Sequence, residues 1–334
     1  MFKKAAILFL YAETPLHPGS GASVGAVDLP IQRERHTQHP IMQSSGIKGA
    51  LRDLANRIGA NEEKIKVVFG PEDEAQKHGG AISFTDARVL LFPVRSMEGV
   101  FAWITCPKVL ERFNKDIAYL DIGLTSKSPP VKQITEIIQG IRSIPLRERG
   151  KVFITTTSDL IATGNRVILE EFSFEAIPEG KDRANELARW FAENAFPKDS
   201  VYGYWREEIK RKLAILSDDD FTSFVQFSTE VITRIKIEDE TGTVKAGPWD
   251  EEYLPAETLL YSMALATDPK VEQNKRPNDL KDASGVLEFV EREILNRVTI
   301  VQLGGDETVG RGITRMTLKK NDNLKVISCK EGIK

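Results

Sequence analysis

The spacing of apolar residues changes period several times along the chain, and each change marks an element. Residues 4–12 are an apolar run of β-formers ending in turn chemistry, which predicts a buried first strand. The stretch that follows is glycine-rich and broken by Pro30 and Pro40, so no helix can follow that strand directly. From Ser44 the period becomes helical: SSGIKGALRDLANRIG puts Ile47, Leu51, Leu54 and Ile58 on one face, behind serine caps, and stops at Gly59. Residues 61–80 read as a polar loop or short helix with Lys77, His78 and a Gly-Gly turn.

Alternating residues in 81–96 and 99–106 predict two strands, and a helix follows near 107–120. Residues 121–150, with Ser-Pro-Pro and an RERG run, show no clear period and read as an insertion. Strands are predicted near 151–155 and 166–176, then amphipathic helices near 181–195 and 204–215. The aspartates of SDDDFTS, 217–223, suit a helix cap or solvated turn better than a cation loop, because three successive carboxylates cannot face one point. Residues 224–266 read as strand, exposed hairpin or loop, strand, with a polar excursion from about Glu238 to Pro255 that projects from the body. A helix at 284–297 and two strands around the loop GGDETVGRG close the chain. The expected architecture is α+β, built of ferredoxin-like units whose helices cover one sheet face and leave the other free.

Composition narrows the function classes. With 334 residues the core can be large, and no apolar run reaches the roughly 18 residues a membrane span needs, so a soluble protein is expected. Cys106 and Cys329 stand alone, which suggests neither a zinc cage nor a disulfide framework and fits a reducing cytoplasm. The 46 basic residues against 49 acidic ones give a net charge of -3, which argues against an indiscriminate polycation and leaves room for a local basic groove.

The candidate chemistry gathers near the front. Gly19, Gly21 and Gly25 have the wrong spacing and context for a dinucleotide fingerprint, and GGDETVGRG lacks the Lys-Ser/Thr ending of a nucleotide-binding P-loop. Lys48 and Arg52, four apart, share a helix face, and the free N–H groups at Ser44 and Ser45 add to the positive field. That combination is either a phosphate site or a solvated face. Gly304, Gly305, Gly310 and Gly312 either let the backbone approach a ligand beside Arg311 or make a tight connection between strands. Asp28 has no helix to cap and is either a loop aspartate or a proton acceptor. His17 is either a packing residue or its helper. Glu251, Glu252 and Tyr253 either reach Asp28 from a neighbouring copy or are solvated. His36 and His39 have a His-x-x-His spacing but no further ligands nearby for zinc.

The motifs LHPGSG, VDLPIQRE, SSGIKGALR and GGDETVGRG, with TGTV and DEEYLPAETLLY, resemble the RAMP superfamily of CRISPR proteins, and within it the repeated backbone subunit of the type III-B (Cmr) effector complex. The resemblance covers essentially the whole chain. It implies a single RAMP domain with an RRM-like palm, inserted finger elements including 121–150, and a projecting thumb hairpin at about 236–255. It also implies copies stacked as a filament on guide CRISPR RNA together with other Cmr subunits, and cleavage of single-stranded target RNA by 2′-hydroxyl attack with a divalent cation, Mg2+ or Mn2+. Carried onto this chain, Asp28 is the catalytic residue, with His17, Glu251, Glu252 and Tyr253 as helpers. Ser44, Ser45, Lys48, Arg52, Gly304, Gly305, Gly310, Arg311 and Gly312 would hold guide backbone. Two alternatives are a purely structural RNA-binding subunit and a guide-processing endonuclease using His17 as acid or base.

Overall fold

The first apolar run lies at the centre of a large mixed sheet. The computed structural model describes residues 1–72, 78–144, 146 and 148–327, so Lys77 and Cys329 lie outside the described residues. The strands are β1 (Lys4–Ala12), β2 (Ile41–Met42), β3 (Ile82–Phe84), β4 (Ala87–Arg95), β5 (Phe101–Thr105), β6 (Lys151–Ile154), β7 (Ile161–Ala162), β8 (Arg166–Leu169), β9 (Phe172–Ala176), β10 (Leu213–Leu216), β11 (Glu230–Ile237), β12 (Val244–Tyr253), β13 (Leu259–Ala266), β14 (Ile300–Gln302) and β15 (Ile313–Lys319). The helices are α1 (Ser44–Arg57), α2 (Glu62–Phe69), α3 (Pro107–Ile117), α4 (Pro129–Ser143), α5 (Lys181–Asn194), α6 (Gly203–Lys212), α7 (Asp218–Phe227) and α8 (Ala283–Glu288), the last running on as a π-helical turn, Phe289–Leu295.

The main sheet runs β14-β15-β1-β13-β4-β5-β10-β6-β9-β8-β7, with β2 beside β4 and β3 beside β13. Its first half is antiparallel: β1 pairs with β13 on one side and β15 on the other, and β13 pairs with β4. Parallel pairs enter further along, between β10 and β5 and between β6 and β9. β11 and β12 stand apart as a two-stranded ribbon.

Several sequence expectations change. The centre of the sheet is covered on both faces: every residue of β13 and all of β1 after Lys4 are buried. Phe9 of β1 meets Phe113 of α3, and Phe113 meets Tyr261 of β13. α8 contacts the same two strands, β1 and β13. The insertion at 121–150 contains α4, which starts at a Pro-Pro step and buries Val131, Ile134, Ile138 and Ile141, a helical spacing that was present in the sequence. The helix expected over 204–215 ends at Lys212; Leu213–Leu216 are a fully buried strand, β10, between β5 and β6. The ribbon begins at Glu230, earlier than the expected 236.

The helix cap also differs. Gln43, not a serine, occupies the N-cap of α1 and gives no side-chain capping bond. Instead the Asp86 carboxylate accepts the Ser44 N–H at 2.9 Å, so an anion from the β3–β4 turn already sits at this positive end. Ser217 does cap α7, accepting the Asp220 N–H at 3.1 Å.

Candidate RNA-cleaving site at the root of the ribbon

The ribbon is joined to the body by short pairings that bring three remote stretches together. Leu16 and Leu254 exchange backbone hydrogen bonds of 2.9 and 2.8 Å, and Leu29 lies parallel to Glu251 on the other stretch of the same loop. Leu29 donates its N–H to Asp250 and accepts from Glu252, both at 3.0 Å. The glycine-rich loop is therefore stitched along the last turns of β12. A two-stranded ribbon is marginal by itself, so this pinning is what holds it at its root.

Asp28 stands at the seam. It is exposed, and its Oδ2 accepts the backbone N–H of Asp250 at 2.9 Å. Asp250 in turn takes the Thr233 hydroxyl from β11 at 2.6 Å, so both strands of the ribbon support the loop. The neighbouring residues face inward. Glu251, Glu252 and Tyr253 are buried, at 5%, 6% and 0% exposure, which rules out their being solvated. Glu252 binds the Arg33 guanidinium, the Thr229 hydroxyl at 2.7 Å and the Ile31 N–H at 3.0 Å. Glu251 takes the Trp249 indole N–H and the Arg234 guanidinium, each at 2.7 Å, and touches the Tyr253 hydroxyl. Burial, followed by the bonds to Glu251 and Asp306, pushes the Tyr253 phenol far up, so it stays protonated.

His17 is half-buried beneath this seam. Its Nδ1 lies 2.6 Å from the Glu252 carbonyl, which can only accept, so neutral His17 carries its proton there and leaves Nε2 as the acceptor. Nε2 faces Gly19, where a Cβ would come within 2.7 Å of it. The C-terminal glycine loop closes behind. Gly305 donates to the His17 carbonyl at 2.9 Å, and a Cβ at Gly304, whose φ is +73°, would stand 2.2 Å from that oxygen. Gly312 likewise donates to Pro15. These glycines approach the protein's own backbone. Gly310, by contrast, faces open space, and Arg311 lies over the Tyr253 ring at 5.0 Å.

The helix start carries a second patch. Ser44 is half-buried and Ser45 exposed. Lys48 Nζ donates to the Ile82 carbonyl at 3.2 Å, and Arg52 pairs with Glu72 at 3.0 Å, so neither cation is loose. Burial, then Lys270 and Arg52, lowers the Lys48 ammonium pKa, which places three cations in one field. Among the described residues no group of His, Cys, Asp and Glu is arranged to hold a metal ion. His39 is buried against Phe221 and bonded to Thr222 at 3.0 Å, whereas His36 is exposed and meets Arg112 at 2.9 Å, so the His-x-x-His pair serves two different contacts.

The RAMP superfamily pattern matches residues 9–315, from β1 through the glycine loop to β15. The chain belongs to the RAMP superfamily. It is 37% identical to a Pyrococcus furiosus protein named CRISPR system Cmr endoribonuclease Cmr4, across 96% of this chain and 97% of that one. It is 24% identical to the CRISPR system CMR subunit Cmr4 of Saccharolobus solfataricus, across 92% and 94%. Crystalline oligomeric Cmr4 from Pyrococcus furiosus matches with a TM-score of 0.65 at 31% identity, covering 95% of this chain and 98% of that one. A chain in the type III-B Cmr-beta complex bound to cognate target RNA has the same fold, with a TM-score of 0.71 at 23% identity over 96% and 99%.

Within this RAMP chain, sequence reading missed the residues that organise the seam. Arg33, Thr229, Arg234, Asp250 and Asp306 all bond to the site, yet each is an ordinary polar residue whose partner lies elsewhere in the chain. Arg33 belonged to a visible basic cluster, Asp306 to a visible glycine loop and Asp250 to the motif DEEYLPAETLLY; nothing in the sequence marked the other two. Lys270 was missed as a neighbour of Lys48 for the same reason.

Proposed function

We propose that the chain is a backbone subunit of a type III-B CRISPR ribonucleoprotein, which binds guide RNA along a filament of its own copies with other Cmr subunits and cleaves complementary target RNA. The observation that carries this reading is the exposed Asp28 carboxylate, held at the root of a projecting ribbon in a chain 37% identical to a named Cmr endoribonuclease.

In this reading the antiparallel order β15-β1-β13-β4, with α1 and α8 in its two crossovers, is an RRM-like, ferredoxin-like palm. The β4–β13 connection carries the finger elements, and the β11–β12 ribbon is the thumb. The whole is one RAMP domain. Guide phosphates lie along Ser44, Ser45, Lys48 and Arg52 and along Gly310 and Arg311, while Gly304, Gly305 and Gly312 hold that loop against the protein's own backbone. The thumb interrupts the guide–target duplex and presents the unpaired target strand to Asp28.

RNA supplies its own nucleophile. Asp28 accepts the proton of a target 2′-hydroxyl as that oxygen bonds to the adjacent phosphorus; the bond from phosphorus to the 5′-oxygen breaks as that oxygen takes a proton from water, leaving a cyclic phosphate and a 5′-hydroxyl. His17, Glu251, Glu252 and Tyr253 hold the seam that aims Asp28. A divalent cation, Mg2+ or Mn2+, belongs to the proposal as a companion of the RNA phosphates. One exposed carboxylate, with no ligand set beside it among the described residues, makes no cage for it.

The test uses the assembled complex with guide and labelled complementary RNA. Asp28→Asn retains assembly and guide binding and abolishes cutting. Undiminished cutting at every position removes Asp28 as the catalytic group, and an inert parent complex favours the purely structural subunit. Cutting of precursor repeat RNA by the isolated chain would favour guide processing instead.

A further inference from the structure

The C-terminal glycine loop contains one carboxylate that grips the ribbon. Asp306 Oδ1 meets the Arg234 guanidinium of β11 at 3.0 Å, and Oδ2 accepts the Tyr253 hydroxyl of β12 at 2.8 Å. One side chain thus holds both strands at the ribbon's root. Its backbone is in the left-handed region, φ +65°, where aspartate and asparagine are tolerated better than most residues. Its carbonyl accepts the Val309 and Arg311 N–H groups, each at 3.2 Å, and this turn delivers Arg311 over the Tyr253 ring.

The contacts close a circuit. His17 bonds to the Glu252 carbonyl, Tyr253 follows Glu252 in the chain and bonds to Asp306, and Gly305, which precedes Asp306, bonds back to His17. Asp28 hangs from the same stretch through Asp250. Burial alone would raise the Asp306 carboxyl; the bonds from Tyr253 and Arg234 outweigh it and hold the group below its ordinary value, as a charged anchor.

We propose that Asp306 is a positioning residue for the cutting loop: it clamps the ribbon root to the glycine loop behind His17 and so sets which phosphate is presented to Asp28. This rests on the RNA-cleaving function proposed above. The ribbon's ten-residue strand β12 spans about 30 Å at the usual rise, so a small tilt at the root becomes a displacement of several ångströms along the RNA. Misplacement of a reacting group by about 1 Å can cost about a hundredfold in rate.

Two variants separate clamping from folding. Asp306→Asn keeps the shape, the tolerance of positive φ and an acceptor for Tyr253, and removes the charge facing Arg234. Asp306→Gly keeps the backbone freedom and removes both bonds. In complexes assembled with guide RNA, both are expected to bind guide like the parent. Both should cut about tenfold to a hundredfold more slowly at unchanged KM, glycine being the worse, and spread their products onto neighbouring phosphates. Hydrogen exchange at 249–254 should quicken in both.

Parent-like rates and product lengths in both variants would overturn the proposal, as would slowed cutting without faster exchange at the ribbon root. Loss of assembly or guide binding in both would reduce Asp306 to a structural residue and equally overturn it. Asp28→Asn run in parallel reports on the cutting function itself: if the parent does not cut, the functional reading fails, while the exchange measurement still decides the clamp.

Discussion

Asp28 and Asp250 are 222 residues apart, and the carboxylate of the first accepts the backbone N–H of the second at 2.9 Å. This bond distinguishes two substitutions. An asparagine in place of Asp28 would still offer an acceptor to Asp250, whereas an alanine would leave that N–H with water. Asp28→Asn and Asp28→Ala should therefore be equally inactive in cutting target RNA, each by at least about a hundredfold. In thermal unfolding the asparagine variant should match the parent, and the alanine variant should fall by about 1 kcal/mol.

Glu252 is a different kind of carboxylate. It and Arg33 form a buried pair, with side-chain exposures of 7% and 15%, and the remaining oxygen satisfies the Ile31 N–H. Removing Glu252 leaves the largely covered Arg33 guanidinium without its counter-charge, bonded among the described residues only to the Gln38 and Val225 carbonyls. Glu252→Ala should cost about 3 kcal/mol in denaturant unfolding and release residues 29–33 to faster hydrogen exchange. A loss in cutting without a loss in stability would instead show that Glu252 acts in the chemistry.

The patch on α1 makes an electrostatic prediction. If Lys48 neutralises one guide phosphate, Lys48→Ala should reduce the slope of log affinity against log salt by about 0.7. Because Lys48 also bonds to the Ile82 carbonyl, circular dichroism and the unfolding midpoint of the same variant serve as controls. An unchanged slope with intact folding would place the guide elsewhere.

Two buried groups give stability opposite pH dependences that offset each other between about 4.5 and 6.5, so each is read in a variant of its own. Burial, reinforced by the Arg112 charge, pulls His39 down to about 4, so it is neutral when folded and protonates more readily when unfolded; stability declines as pH falls from 6.5 towards 4. Burial pushes the Glu257 carboxyl up to about 7, and one of its oxygens has no hydrogen-bond partner among the described residues. The folded state therefore keeps a proton there that the unfolded chain releases near 4.5, and stability declines as pH rises from 4.5 through 7. Unfolding midpoints should show Glu257→Gln gaining on the parent as pH rises through 7 and matching it below 4.5.

The sequence by itself determined the elements whose burial pattern is local. α1 buries Ile47 and Leu51, two of the four apolar positions its period marked, and β1 is the buried strand its composition required. Period failed where a short apolar run admits either conformation: Leu213–Leu216 continued the preceding helix in sequence but lies between β5 and β6, because pairing in a sheet depends on strands far away in the chain. The two covered faces of β1 were written in its unbroken apolar run, which a half-solvated strand would not show, but which helices enclose them was not.

The same division runs through the site. Asp28 and the ribbon were visible as a loop carboxylate and a polar excursion. The direction of Glu251, Glu252 and Tyr253 was not, because a carboxylate enters a core only when its partners are supplied, and Arg33, Thr229, Arg234 and Asp306 come from three other stretches of chain. Residue type fixed which chemistry was available; tertiary pairing decided which carboxylate faces solvent and which ones hold it in place.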